Sequence, residues 1–358
     1  MLVRDVDGRP WRSEQENADL LERKLITGLV ARSAGLVQWL WYINSYMTND
    51  NENSIGLVRA DGSAKPELEV MRAFGSLMQE LAGQMVEAES LPSVWVVIPY
   101  SQWFVRPELA IGATQQAVRV LSYDLGIVPQ LVGVHQLSIV TIGEQQPHII
   151  IVPSVQMFDE KAWRILQHFV YAGGTLLVSG VISRSPHNLP FDPMLVGIQK
   201  EELEPLAVSR YEELEIAPGE AYRLLFDGEK IGYVRKAHNH LRVYQHGAGT
   251  IIWSGLPLEL SSSPQAAHRV YRQALNLDEE TNLTSSPVLV IRQSLKDSLL
   301  ILLVSELGSP QRITLDEGIH IEVAPNRAGA VIMKNNSVVH TFGGVTLHPN
   351  QRIRGLHP

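Results

Sequence analysis

Hydrophobic and polar positions follow a helical period at the start of this chain of 358 residues. Leucines recur about once per turn in residues 20–30, with Asn17 placed to cap that helix and Gly35 placed to end it. The next run, LVQWLWYI over residues 36–43, is almost continuously apolar. Such a run is typical of a parallel strand that is covered on both faces. The opening pattern therefore predicts a helix followed by a buried strand.

A second helix is predicted after a turn. Asp61-Gly62 is a typical turn dipeptide, and Pro66 stands where a first helical residue is favoured. Apolar residues then recur at helical spacing, namely Met71, Phe74, Leu77, Met78, Leu81 and Met85. The first part of the chain is thus expected to read helix, strand, helix.

From residue 93 the pattern changes to an alternation of strands and helices. Short runs rich in branched residues predict strands at 94–98, 127–132, 148–152 and 175–179. Helical patterns lie between them, near 112–124 and 158–171. This alternation predicts an α/β fold with a parallel, doubly wound sheet. An antiparallel hairpin over 241–254, turned at Gly247-Ala248-Gly249, and a helix near 263–276 complete this region.

The helical period disappears after about residue 285. Six short apolar runs follow one another there, separated by Gly, Pro, Asn and Asp. This pattern predicts a small all-β module, a sandwich or a barrel. We therefore expect three domains, at residues 1–90, 91–280 and 281–358.

The composition narrows the classes of function. Hydrophobic residues make up 45% of the chain, which is enough for real cores. The formal net charge of -8, without a cluster of Lys and Arg, argues against binding to nucleic acid or to an anionic membrane. The absence of cysteine excludes disulfides, cysteine-ligated zinc and thiol nucleophiles. The polar N-terminus shows no signal peptide, so we expect a cytoplasmic protein.

Two other motifs carry less information. The GAG sequence at 247–249 precedes a strand instead of opening a helix, so it does not indicate a nucleotide site, and we expect no cofactor. His238 and His240 would share one face of a strand near His246, which makes a metal site geometrically possible. An exposed strand edge with polar side chains explains the same pattern, and we assign no metal.

The aromatic run is the strongest candidate for a ligand site. On a strand, Trp39 and Trp41 share one face, and Asn44 and Glu52 follow in a polar loop. Indole faces suit the apolar faces of sugars, and amide and carboxylate groups suit their hydroxyls. We take Trp39 as a core residue. We take Trp41, Asn44 and Glu52 as candidate carbohydrate-binding residues.

The same stretch carries a family resemblance. The order GLVQWLWYIN, then NDNENSIGLVRADGSAKPELEVMRAF, resembles the last strand, loop and helix of a retaining glycoside hydrolase barrel. The resemblance is to the beta-galactosidase group, in which a (β/α)8 barrel is followed by a trimerisation domain and a small β domain. Three later segments resemble that trimerisation domain, whose fold is flavodoxin/amidotransferase-like without amidotransferase chemistry: IPYSQWF, PHIIIVPSVQMFDEKAWRILQHFVYAGGTLLVSG and HGAGTIIWSG.

The resemblance has consequences for each segment. It implies that residues 1–90 are a remnant of the barrel, with Trp41 at the position of a tryptophan that contacts the sugar. It implies that 91–280 is a trimerisation-type domain and hence that the protein is a homo-oligomer, with a trimer favoured. Both catalytic carboxylates of the family would lie upstream of Met1, so no catalytic residue is assigned. Retaining hydrolysis needs two carboxyl groups about 5 Å apart.

Three hypotheses follow. The first is a C-terminal portion of a beta-galactosidase-like enzyme, inactive alone, to which a companion chain would supply the rest of the barrel. The second is a non-catalytic carbohydrate-binding or assembly protein. The third is an independent hydrolase that uses Glu52 together with an acid that the sequence does not identify.

Overall fold

The computed structural model describes most of the chain. The described residues are 12–33, 35–47, 55–84, 94–105, 107–155, 157–180, 182, 185–187, 189, 203–207, 211–217, 220–225, 230–234, 241–254, 257–260, 264–277, 288–315, 319–335 and 337–347, with the backbone alone described between 203 and 234. The chain divides into two compact units. One unit consists of residues 90–285, and the other combines residues 1–89 with 286–358.

Helices and strands alternate in the middle of the chain and give way to strands alone at its end. The helices are α1 Glu14–Val30, α2 Pro66–Leu81, α3 Tyr100–Val105, α4 Pro107–Arg119, α5 Ile139–Gln145, α6 Glu160–Tyr171 and α7 Gln265–Ala274. The strands are β1 Val94–Ile98, β2 Gln130–Gly133, β3 Ile149–Val152, β4 Thr175–Ser179, β5 Leu203–Ala207, β6 Tyr211–Ala217, β7 Glu220–Leu225, β8 Lys230–Val234, β9 Leu241–His246, β10 Gly249–Ser254, β11 Val288–Ser294, β12 Leu299–Ser305, β13 Gln311–Thr314, β14 His320–Val323, β15 Ala328–Lys334, β16 Ser337–Gly343 and β17 Val345–Leu347.

The unit of residues 90–285 is built on a six-stranded sheet in the order β2-β1-β3-β4-β10-β9. All pairings in it are parallel except the β9–β10 hairpin. The runs of β1, β3 and β4 are buried because helices cover both faces. Val94 and Val96 face a core with α4 and α7, whereas Trp95 and Val97 face a core with α5 and α6. The parallel α/β sheet and the hairpin predicted from the sequence are confirmed.

The second unit combines two helices with two antiparallel sheets. The sheets have the orders β11-β12-β15-β16 and β13-β14-β17, and their facing side chains share one core. Helix α1 packs on β12 and β15, and α2 packs on α1 and β16. Phe74 of α2 meets Phe342 of β16 edge to face, with ring centroids 5.7 Å apart. The predicted all-β character of the chain's last part is confirmed, and the three-domain division stays a prediction.

Three local predictions are wrong. Helix α1 ends at Val30 with Ala31 as its C-terminal cap, and not at Gly35. The cap of α1 is Ser13, not Asn17, because Ser13 and Glu16 form a capping box in which each side chain bonds the other's backbone. Residues 36–43 do not form a regular strand. They run in irregular conformation with a single parallel bridge between Tyr42 and Val58. A strand needs neighbours along its length, and among the described residues Val58 alone offers this segment a bridge partner.

One general property follows from the helices. Among the residues described, no helix combines the length and the apolar character that a membrane span requires.

Candidate functional site

The aromatic segment of residues 36–47 lies on the surface of its unit. Trp41 is 57% exposed and Trp39 72% exposed, and Tyr46 is exposed almost completely. The expectation that Trp39 is a core residue is therefore wrong. The apolar run is continuous, but among the described residues of the unit no second layer covers it. Large exposed apolar patches are uncommon on folded proteins, which makes this segment the candidate site.

The residue Trp41 is exposed, but its backbone is held by hydrogen bonds. Its carbonyl oxygen accepts hydrogen bonds from the backbone N–H groups of Leu57 and Val58, both at 2.9 Å. The N–H of Ile43 donates in turn to the carbonyl of Val58 at 3.0 Å. Gly56 allows this approach, because a Cβ there would lie 2.4 Å from backbone atoms of Tyr42 and Ile43. We call this arrangement of residues 41–43 with 56–58 the Trp41 clamp.

The clamp rests on the start of α2. Leu57 and Val58 are buried with Leu68 in a small apolar cluster. Lys65 and Glu67, both almost fully buried, form an ion pair at 3.0 Å beside it. The turn that joins the clamp to α2 is the predicted one, with Gly62 in the left-handed conformation that a turn of this kind requires.

An ion pair also ties the turn to α1. Arg59 pairs with Glu14 in the first turn of that helix. The hydrogen bond from the Arg59 guanidinium lowers the pKa of the Glu14 carboxyl below its ordinary value. The indole of Trp41 is thus presented by a backbone that is fixed from several sides.

The other residues expected in the site are placed as follows. Asn44 is half-buried, and its carbonyl oxygen accepts from the backbone of Met47 in a turn. Glu52 lies outside the described residues, as do His238 and His240. His246 lies on β9, where its ring meets Tyr171 edge to face at 5.7 Å. In the described part of the chain, no group of three or more His, Asp or Glu side chains could hold a metal ion.

A buried polar cluster in the other unit was not anticipated from the sequence. Glu259 is 3% exposed, and three hydroxyl groups converge on its carboxyl group. Ser154 donates to Oε2 at 2.6 Å, Tyr271 donates to Oε1 at 2.6 Å, and Ser179 also donates to Oε2. Burial raises the pKa of Glu259 above its ordinary value. We call these four residues the Glu259 cluster.

The Glu259 cluster lies at the carboxyl ends of β3 and β4. Ser154 follows β3 by two residues with φ +42°, and Ser179 is the last residue of β4. Open parallel sheets bind ligands at this edge, at the point where the strand order reverses. Here that point lies between β1 and β3. The buried Gln102, on the helix that follows β1, accepts a hydrogen bond at its Oε1 from the backbone N–H of Met157 at 3.2 Å. The sequence signals were a serine at or close to the end of each apolar run, in VPS and LVSG, and a lone acid in PLEL.

Comparison with known proteins gives structural likeness without sequence matches. No protein-family model matches the chain, and no curated protein sequence matches it. A beta-galactosidase from Rahnella sp. R3 aligns with a TM-score of 0.59 and 16% identity over 87% of this chain and 51% of its own. A catalytic mutant of a GH42 beta-galactosidase from G. stearothermophilus gives 0.61 and 13% over 91% and 52%.

A third structure extends the range of source organisms. The beta-galactosidase from the haloarchaeon Halorubrum lacusprofundi aligns with a TM-score of 0.53 and 12% identity, over 80% of this chain and 46% of its own. The chain thus spans about half the length of the solved chains it matches. Identities this low establish a likeness of fold alone. The chain is therefore similar in fold to about half of a GH42-type beta-galactosidase chain.

Proposed function

We propose that this chain acts as the C-terminal part of a beta-galactosidase-like glycoside hydrolase. In this proposal it contributes the rim of a sugar site and an oligomerisation domain, and a companion polypeptide segment carries the rest of the barrel. The observation that carries the proposal is the Trp41 clamp, which presents an exposed indole on a fixed backbone. The similarity in fold to GH42 beta-galactosidases supports the carbohydrate assignment.

The unit of residues 90–285 would be the flavodoxin/amidotransferase-like oligomerisation domain. Its strand order begins β2-β1-β3-β4, the order of flavodoxin-like sheets. At the edge that binds ligands in such sheets, the side chains of Gln102 and Glu259 are engaged in internal hydrogen bonds. Polar side chains that are engaged with one another at this edge suit an assembly role.

Without its companion, the chain is expected to bind sugar and not to hydrolyse it. Trp41 offers a stacking face and Asn44 or Glu52 offers hydrogen bonds, but retaining hydrolysis needs an acid and a nucleophile about 5 Å apart. Binding groups alone leave most of the activation barrier in place, whereas enzymes typically raise the reaction rate by a factor on the order of a million or more.

Sugar binding and turnover test the proposal directly. Titration of the chain with galactose should give a Kd in the millimolar range, about 4 kcal/mol of binding free energy. Trp41→Ala should abolish binding, whereas Tyr171→Ala, which removes an exposed aromatic ring from the other unit, should not. Nitrophenyl galactoside and glucoside should not be turned over by the chain alone. Turnover that is lost in Glu52→Gln would establish the independent hydrolase instead.

Oligomeric state gives a second test. Sedimentation at micromolar concentration should show self-association, with a trimer as the expected species. A single species at the monomer mass of 39.9 kDa would contradict the assembly role.

A non-catalytic carbohydrate-binding or assembly protein is the alternative. The exposed aromatic segment favours it as well, because stacking alone suffices to bind a sugar. The two functions separate on addition of a polypeptide that carries the missing barrel strands and the two carboxylates. Turnover then appears only if this chain completes an enzyme.

A further inference from the structure

The Glu259 cluster joins elements that are distant in sequence. Glu259 lies in a short 3-10 turn at Leu258–Leu260, Tyr271 lies on α7, and the two serines lie at the ends of β3 and β4. One carboxyl group therefore fastens the turn and α7 to the edge of the parallel sheet. Ser179 also links β4 to the residues after β3, because its Oγ accepts a hydrogen bond from the backbone N–H of Ser154 at 2.7 Å.

Ser154 has an unusual backbone conformation at the cluster. Its φ of +42° lies in the left-handed region, which a residue with a Cβ enters at a cost. In that conformation its Oγ reaches Glu259 and its N–H reaches Ser179. Both hydrogen bonds are thus made from the left-handed conformation of Ser154.

We propose that the Glu259 cluster is a protonation-controlled latch, which holds α7 and the 258–260 turn closed on the sheet while Glu259 is neutral and loosens when Glu259 ionises. The proposal is independent of the function proposed for the aromatic segment. A buried carboxylate loses the hydration that it has when the latch is open. Three hydroxyl groups can serve a neutral acid as well as an ion, since each hydroxyl both donates and accepts.

The direction of the pH effect follows from the burial of Glu259. Because burial raises the pKa of Glu259, the closed state binds its proton more tightly than the open state does. The stability of the closed state is therefore complete below the ordinary pKa of a glutamate. It falls as the pH rises from there to the raised pKa of the buried group, and is constant above that.

Few titratable groups face Glu259 among the described side chains. Tyr271 is the one in contact, and the carboxyl group of Glu259 contributes to raising the pKa of this phenol, after burial itself. Helix α4 packs against the 258–260 turn, but its charged residues, Glu108 and Arg119, are exposed at its two ends. On α7, burial lowers the pKa of His268. The charge of Asp124 opposes this shift, and the charge of Arg272 adds to it.

Hydrogen exchange of the full chain tests the latch. Protection factors of α7, corrected for the intrinsic pH dependence of exchange, should fall as the pH rises from 4 to 9. The fall should be about tenfold for each unit by which the pKa of closed Glu259 exceeds that of the open state. Glu259→Gln should abolish this fall and leave only the opposite trend from His268, whose lowered pKa makes protection rise with pH below the ordinary pKa of a histidine. Glu22→Gln, which alters a buried glutamate of the other unit, should leave the profile of α7 unchanged.

A second variant, Tyr271→Phe, keeps the test decisive if Glu259→Gln does not fold. Tyr271→Phe keeps the ring but removes a donor that stabilises the ionised form, so the decline should extend to higher pH. A purely structural hydrogen bond would lower protection equally at every pH. The latch is wrong if α7 in the wild type shows no decline, or if the decline in Tyr271→Phe stops at the same pH as in the wild type.

Discussion

Glu22 of α1 accepts a hydrogen bond from Nε of Arg327 at 2.8 Å, across a separation of 305 residues. The same carboxyl oxygen also accepts from the backbone N–H groups of Ala328 and Gly344, at 2.9 and 3.0 Å. Glu22 is 1% exposed. The carboxylate thus accepts hydrogen bonds from the backbone at the start of β15 and just before β17. These bonds attach α1 to the β sheets.

Removing this carboxylate should be strongly destabilising. Glu22→Ala leaves Arg327 with Asp19 as its ionic partner and takes an acceptor from the backbone N–H groups of Ala328 and Gly344, although Gly344 also donates to the carbonyl of Ala328. The loss should cost about 1–3 kcal/mol of unfolding free energy. Urea denaturation monitored by circular dichroism measures it. Glu69→Ala, which removes a surface pair with Arg72 on α2, should change stability by less than about 0.5 kcal/mol. Equal effects of the two variants would contradict the role of Glu22.

Residues 1–88 should not fold alone. Leu25, Ile26 and Leu29 of α1 are buried, and the helix packs on β12 and β15. Expressed by itself, this segment should be unfolded or aggregated, because that apolar face would be left in water. Co-expression with residues 286–358 should restore solubility. A soluble 1–88 fragment that melts cooperatively would disprove this dependence.

The Trp41 clamp should be intolerant of a side chain at position 56. In Gly56→Ala the Cβ would meet the backbone of Tyr42 and Ile43, which cannot give way as a flexible side chain would. We expect a loss of about 1–3 kcal/mol and weaker sugar binding. Gly75→Ala on the exposed face of α2 is the matched control, since its Cβ meets nothing within 4 Å. It should stabilise the protein by about 0.4–1 kcal/mol.

Two tryptophans should respond oppositely to truncation. Trp41 is exposed, so Trp41→Ala should change the unfolding free energy by less than about 0.5 kcal/mol while abolishing sugar binding. Trp253 of β10 is 1% exposed, and its Nε1 donates to the carbonyl of Gly180 at 2.9 Å. Trp253→Ala should cost about 3–5 kcal/mol. A large loss of stability in Trp41→Ala would place its indole in a core.

The sequence by itself determined the local elements. The strands at 94–98 and 175–179 begin and end where the apolar runs do, and α2 begins at Pro66 as predicted. The Ser13–Glu16 capping box was also legible in the sequence, although the pattern was assigned to Asn17. These features depend on residues within a few positions of one another, so the chain specifies them without knowledge of its fold.

Tertiary structure alone decided burial and the polar constellations. An apolar run such as 36–43 looks the same whether a second layer covers it or not, and in the described structure Trp39 and Trp41 are exposed. Ser154 and Glu259 are 105 residues apart, Ser179 and Glu259 are 80 apart, and Glu22 and Arg327 are 305 apart. No local propensity couples such pairs. They meet because the sheets and helices bring them together, and burial then gives each hydrogen bond and each charge its energetic weight.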